Sequence, residues 1–400
     1  MTAARNSNPT PAQGVLHVAF ELSWNEWKLA FTTGPAQKPR LKTIRARDLE
    51  ALATESAKAK KRFGLAAEAA VRSCYEAGRD GFWLHRYLVA QGIDNVVVDS
   101  ASIEVNRRQR RAKSDRLDAV KLVSMLLRYH GGERQVWSVV RVPDAADEDR
   151  RQLHRELAEL KDERTQHINR IKGLLVTHGL ALTEVDETLP ARLAAARLWD
   201  GSVLPADCQA RLLRELERWR LTQRQIMDLE NERKRRVRRD DTPHVERVRL
   251  LLGLPGVGLN GAWLLVHEVF GWRTFRNRKQ VGSMAGLTPT PFASGERSRE
   301  QGISKAGNRR LRRLLVELAW CWLRWQPYSA LSQWYRRRFG SGAARLRKIG
   351  IVGVARKLLI ALWKYLEEGE VPQGAEVGPW QRKLGGCKRG RGADQGEAVA

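Results

Sequence analysis

Residues 15–22 constrain the fold more than any other segment. Val15, His17, Ala19 and Glu21 alternate with Leu16, Val18, Phe20 and Leu22, which is the two-residue period of a β-strand. Both alternating sets are largely apolar, so the strand is expected at the centre of a sheet covered on both faces. After a short turn at 23–26, residues 27–33 alternate again as a hairpin partner, and 41–45 supply a third strand. Residues 48–64 read as a helix, with Asp48 near its start and Gly64 at its stop. A brief strand at 71–75 ends in Glu76, a helix runs to Gln91, and Val96, Val97 and Val98 mark a buried strand at 95–99. A basic stretch at 106–113 leads into a helix beginning near Ser114 and Asp115. Strands first, then alternating helix and strand, then a closing helix describe an α/β domain over 14–135. Residues 1–13, rich in Pro, Asn and Ala, are expected to be disordered.

Further along, the period becomes helical. Leu153, Leu157, Leu160, Ile168, Ile171 and Leu175 share one face of a long helix, and Leu212, Leu216, Trp219 and Ile226 share one face of a second. Apolar stripes with charged outer faces describe a helical coiled-coil linker over 145–240 that also serves as a dimerisation arm. Residues 245–368 are mainly α with Gly-rich turns. Residues 369–400 lose their periodicity and carry Lys383, Lys388, Arg389 and Arg391 among glycines, as in a flexible basic tail. Four hundred residues exceed what one compact core holds, consistent with several domains.

Charge narrows the function. The chain has 72 Lys and Arg against 45 Asp and Glu, a formal net charge of +27. An imbalance of that size calls for a polyanionic partner, nucleic acid ahead of a membrane surface. The apolar stretches at 264–270 and 351–362 are too short to cross a bilayer, and residues 1–14 lack a signal-peptide core. Cys74, Cys208, Cys321 and Cys387 have no zinc spacing. A cytoplasmic, nucleoid-associated protein is the expectation. The basic middle helices and the tail suit RNA, because neutralising a phosphate backbone needs only Lys and Arg.

Four acids stand at positions where chemistry is built. Glu21 and Glu76 close two strands, and Asp115 and Asp118 are three apart, on one face of the closing helix. Carboxylates crowded together repel unless a hard cation such as Mg²⁺ joins them. In a basic protein such a site suits phosphodiester cleavage. The bland reading makes Asp115 and Asp118 helix-start acids favoured by the dipole, and Glu76 an ordinary turn residue.

Two further motifs follow. Leu254-Pro255-Gly256-Val257-Gly258 resembles a helix-hairpin-helix turn, in which Gly256 and Gly258 bring backbone N–H groups to a phosphate; its plainer role is helix punctuation. Residues 286–308 read as a long polar loop that ends at an arginine-rich helix. Arg297, Arg299, Lys305, Asn308, Arg309 and Arg310 are placed there to meet a phosphate backbone. From the residues alone, Ser294, Ser298 and Ser304 are equivalent candidates for a nucleophile.

Taken together, three pieces resemble the DEDD-type insertion-sequence transposases (insertion-sequence group 110/116/902), the bridge-RNA-guided serine recombinase family. They are Lys113-Ser-Asp-Arg-Leu-Asp-Ala119, Leu254-Pro-Gly-Val-Gly258, and the run from Gly286-Leu-Thr-Pro289 through Ser294-Gly295 to Gly302-Ile-Ser-Lys-Ala-Gly-Asn-Arg-Arg-Leu-Arg312. The resemblance extends from about residue 15 to about residue 339. It implies an RNase H-like (RuvC-like) N-terminal domain, a coiled-coil linker and a C-terminal domain holding a catalytic serine. The metal-binding acids become Glu21, Glu76, Asp115 and Asp118, with Mg²⁺ or alternatively Mn²⁺, and the nucleophile becomes Ser294. It further implies a covalent phosphoserine step, an element-encoded guide RNA, and a dimer or tetramer acting on donor and target double-stranded DNA. One departure stands out: the family's first acid is commonly Asp, and Glu21 carries an extra methylene that moves the carboxylate. The alternative is a structure-specific, Holliday-junction-type nuclease in which water attacks.

Overall fold

A computed structural model describes residues 14–103, 115–182, 184–294 and 297–381; the side chains of Asp115 and of residues 291–294 and 297–301 lie outside that description. The basic stretch at 106–113 and the tail beyond 381 also fall outside it. The chain divides into two compact units between Val142 and Pro143.

The first unit is a five-stranded mixed sheet in the order β3-β2-β1-β4-β5. Central β1 (Leu16–Leu22) pairs antiparallel with β2 (Glu26–Thr32), which pairs antiparallel with β3 (Arg40–Arg45). On its other side β1 pairs parallel with β4 (Val71–Glu76), and β4 parallel with β5 (Asp94–Val98). The two crossovers are α1 (Leu49–Arg62) and α2 (Trp83–Ala90). Asp48 caps α1, its carboxylate accepting from the Ala51 N–H at 2.8 Å.

The doubly apolar pattern of β1 is answered by a core on each face. Leu16, Val18 and Phe20 pack with Trp27, Leu29, Phe31, Leu52, Leu84 and Leu88. Ala19 on the opposite face joins Ala30, Cys74 and Val98 beneath α3 (Asp115–His130), through Ala119, Leu122, Val123 and Leu126. Each large side chain so buried contributes about 2–3 kcal/mol. The small residues on the second face let α3 lie close to the sheet. This mixed α/β arrangement is compatible with an RNase H-like domain.

The second unit opens with α4 (Ala145–Asp149), α5 (Gln152–Val176), α6 (Leu189–Ala195) and α7 (Ala206–Arg239). Leu157 and Leu160, early in α5, pack on Ile226, late in α7, whereas Ile171 and Leu175 pack near Leu212 and Leu216. The two long helices therefore run antiparallel. His167, not Ile168, is the buried residue of its turn: it is tied to buried Glu215 at 2.7 Å, a pairing that an apolar count overlooks.

Helices α8 (Pro243–Leu252), α9 (Leu259–Leu265), α10 (Arg278–Ser283), α11 (Arg309–Trp325), α12 (Ala330–Phe339) and α13 (Ala344–Glu368) surround a further core built on Leu251, Trp263, Leu315, Trp322 and Leu358. A π-helical turn, Val266–Phe270, continues α9. Within this unit the expected polar loop is instead partly a β-hairpin, β6 (Pro289–Ser294) with β7 (Arg297–Ile303). Pro289 and Pro291 argue against a strand in sequence. A two-stranded hairpin tolerates them because each strand has a free edge, and the register slips between the two prolines. Among the described residues no helix is long and apolar enough to cross a membrane.

Candidate functional site

The acids of the first unit occupy one end of the sheet. Parallel β1 and β4 pair up to Phe20 opposite Tyr75, so Glu21 and Glu76 are the next residues on neighbouring strands. Glu21 is half-buried and Glu76 exposed. Two contacts fix the direction of α3. The His130 ring, at its end, lies 6.0 Å from His17 near the start of β1. Cys74 Sγ meets the Leu122 carbonyl at 3.8 Å, and Cys74 pairs with Ala19. The helix thus runs back along β1. From Leu122 to Asp118 it rises about 6 Å, and from Ala19 to Glu21 the strand advances about 7 Å. The backbone of the first turn of α3 is therefore carried toward the same sheet end as Glu21 and Glu76. Asp118 is half-buried. Among the described residues no three His, Cys, Asp or Glu side chains gather as a metal-binding group; the Asp115 side chain lies outside them.

The serine and its expected phosphate ligands lie in the second unit. Ser294 ends β6 in register opposite Arg297, and Arg299 pairs with Phe292. The base of the hairpin is clamped to the helices. Gly286 (φ +61°) is crossed so closely by the returning chain that a Cβ would stand 1.9 Å from the Ala306 carbonyl oxygen. Lys305 is exposed and left-handed (φ +56°), its N–H donating to Gly286 O at 3.1 Å. Its carbonyl accepts from Arg312 at 2.9 Å. Asn308 caps α11, its Oδ1 accepting from Arg310 N at 2.9 Å and Leu311 N at 3.2 Å. Arg309 is exposed, and Arg310 reaches Glu159 at 3.1 Å. Gly256 (φ +94°) lies against α11, where a Cβ would meet the Cys321 carbonyl at 3.2 Å; Gly258, just before α9, is open.

The comparisons with known proteins bear on this arrangement. Residues 248–335, which hold the Gly256–Gly258 turn, Ser294 and Asn308, match the family described as Transposase IS116/IS110/IS902. The Sinorhizobium fredii protein y4rJ is 41% identical over 376 residues, covering 90% of this chain and 94% of that one. This chain belongs to the IS116/IS110/IS902 transposase family. The transposase for insertion sequence element IS1328 of Yersinia enterocolitica is 27% identical over 221 residues, covering 55% of this chain and 63% of its own. As a transposase, the protein acts on DNA by cutting and rejoining it.

One cluster of this transposase escaped the reading of its sequence. Glu268, on the π-helical turn, is buried and surrounded by α5. His154 Nε2 donates to Oε1 at 2.9 Å; Arg155 donates to both oxygens, at 2.9 and 3.1 Å; Arg151 approaches to 4.0 Å; and Asn308 Nδ2 donates at 3.5 Å. Burial works to raise the Glu268 carboxyl, but the hydrogen bonds from His154 and Arg155 outweigh it and hold it at about 2. Burial, the largest influence, holds His154 below its ordinary value. Since Asn308 also caps the helix that follows the β6–β7 hairpin, Glu268 ties α5 to the residues that anchor Ser294's hairpin. The signal was a carboxylate inside the apolar run 261–270. Its partners on α5 are more than a hundred residues away, which no local pattern reveals.

Proposed function

We propose that this transposase cuts and rejoins DNA through Ser294, aided by a carboxylate site built from Glu21, Glu76, Asp115 and Asp118. The observation that carries the reading is the common sheet end reached by Glu21, Glu76 and the first turn of α3. Strand ends beside a helix start are where carboxylates held by a rigid scaffold can meet a phosphodiester. These acids are the hard oxygen donors that Mg²⁺ or Mn²⁺ accepts. A divalent ion held by these four carboxylates would neutralise negative charge on a bound phosphodiester. The Ser294 hydroxyl oxygen bonds to phosphorus as a bond from phosphorus to a deoxyribose oxygen breaks; the hydroxyl proton leaves, and the departing sugar oxygen takes one up. Ser294 lies within the stretch, 248–335, that matches the transposase family. An RNA encoded by the element selects donor and target DNA by base pairing, and the chain works as a dimer or tetramer.

The test uses purified protein, Mg²⁺, the co-expressed RNA and labelled DNA carrying the element's junction. Wild type forms a protein–DNA adduct that survives SDS. Ser294→Ala forms none and cleaves roughly 10³-fold less or worse. Cleavage without an adduct, unchanged in Ser294→Ala, would identify a water-using nuclease and remove Ser294 from the chemistry.

A further inference from the structure

Between residues 318 and 366 the chain has ten Lys or Arg and no Asp or Glu. Six of those cations lie where α12 meets α13: Arg336, Arg337 and Arg338 end α12, and Arg345, Arg347 and Lys348 open α13. All six are exposed, and among the described residues none pairs with a carboxylate. Among the described residues, Arg336 alone of the six makes a side-chain hydrogen bond, to the Pro327 carbonyl at 3.1 Å.

The two helix ends are pinned together. Gly350 gives α12 its close approach: a Cβ there would stand 2.6 Å from the Phe339 ring and 2.9 Å from that of Tyr335. The Tyr335 hydroxyl donates to the Arg347 carbonyl at 3.4 Å. All six cations lie within two helical turns of that contact, so they form one corner and not two separate runs. The arrangement opposes itself in the free protein. Like charges crowd together, and three of them occupy the start of α13, which has no acid in its first turn and whose dipole already favours an anion. Leu346 and Ile349, 50% and 53% exposed, sit among them.

We propose that the α12–α13 corner is a docking surface for the phosphate backbone of duplex DNA, apart from the Ser294 hairpin. Charge complementarity selects the occupant. A second copy would bring six bare cations against six, and two aliphatic side chains are too small an apolar face to hold a membrane. Phosphates relieve the crowding at the start of α13 and release their condensed counterions as they bind. Duplex DNA is the polyanion on which a transposase acts. Such contacts position the duplex without reading its sequence. The proposal does not depend on the serine chemistry.

The full-length variant Arg337→Ala/Arg338→Ala/Arg345→Ala/Lys348→Ala tests it, with a duplex of arbitrary sequence titrated between about 50 and 200 mM salt. The expected result is at least a tenfold loss of duplex affinity and a salt slope smaller by about 3 to 4, near 0.9 for each lost contact, with an unchanged melting temperature. The charge-matched control removes the carboxylate-paired cations Lys161, Arg220, Arg235 and Arg236 of the α5–α7 hairpin and leaves most of the slope in place. An unchanged duplex slope in the corner variant overturns the proposal. So does a loss seen only with single-stranded RNA, or an equal loss in the α5–α7 control. Arg338→Glu alone gives an independent check, with several-fold weaker duplex binding expected and no loss required of the fold.

Discussion

The α5–α7 hairpin and the α12–α13 corner are both basic, yet they hold their charge in opposite ways. The hairpin carries sixteen Lys and Arg with ten Asp and Glu, and much of that charge is spent internally. Lys161 crosses to Glu230 at 2.7 Å; buried Glu215 takes His167 at 2.7 Å and Arg218 at 2.8 Å; Glu232 takes Arg236 at 2.7 Å as well as Arg235. At the upstream end of α5, Arg155 closes on Glu268. The corner has six cations and no carboxylate at all. Net charge therefore predicts a polyanionic partner but not its seat. In the hairpin, charge specifies helix pairing; at the corner it is left over, and what is left over is available to a ligand.

The largest test of this contrast removes a carboxylate from the paired region. Glu268→Gln keeps the shape but leaves Arg155 and nearby buried Arg151 without their counter-charge, and should destabilise the second unit by about 3–5 kcal/mol. Arg337→Ala at the corner should change stability by less than about 0.5 kcal/mol. Equal effects in denaturant titrations would erase the distinction between structural and spare charge.

Acid should act on the same side of the comparison. The folded Glu268 carboxyl is held at about 2, below the ordinary carboxylate value of about 4.3. A depressed folded pKa contributes stability that is fully present above the unfolded value and is lost as pH falls through the folded one. Stability should therefore decline by about 3 kcal/mol in all between roughly pH 5 and 1. Glu268→Gln, which has no proton to take up, should show a shallower decline over that window in a pH series of melting curves. If the two slopes match, other carboxylates carry the acid sensitivity.

How much of this was legible follows the range of each interaction. The centre of the sheet could be read because β1 shows two apolar sets within eight residues, and the start of α1 because Asp48 caps a residue only three places along the chain. The strand-end positions of Glu21 and Glu76 came from the same alternation. The β6–β7 hairpin stayed hidden because its ladder joins backbone groups, while Pro289 and Pro291 read locally as loop. The Glu268 cluster and the Glu215–His167 pair stayed hidden because their partners are brought together by helix packing. Bare and paired arginines look alike along a chain; only the placement of carboxylates separates them, and that is tertiary.

The smallest effect is the most exacting for the comparison. Lys161 and Glu230 bridge α5 and α7 at 2.7 Å with both side chains about one-third exposed, so water and salt screen most of their attraction. A double-mutant cycle with Lys161→Ala and Glu230→Ala should give a coupling of about 0.5 kcal/mol, falling as salt rises. The pair also bears on binding. Lys161→Ala removes one positive charge from the protein, as Arg337→Ala does. If pairing withdraws a cation from the polyanion's reach, the lysine variant keeps the parental salt slope for duplex DNA while the arginine variant loses about one unit. Equal losses would mean that the duplex responds to total charge alone, and the division between the two regions would collapse.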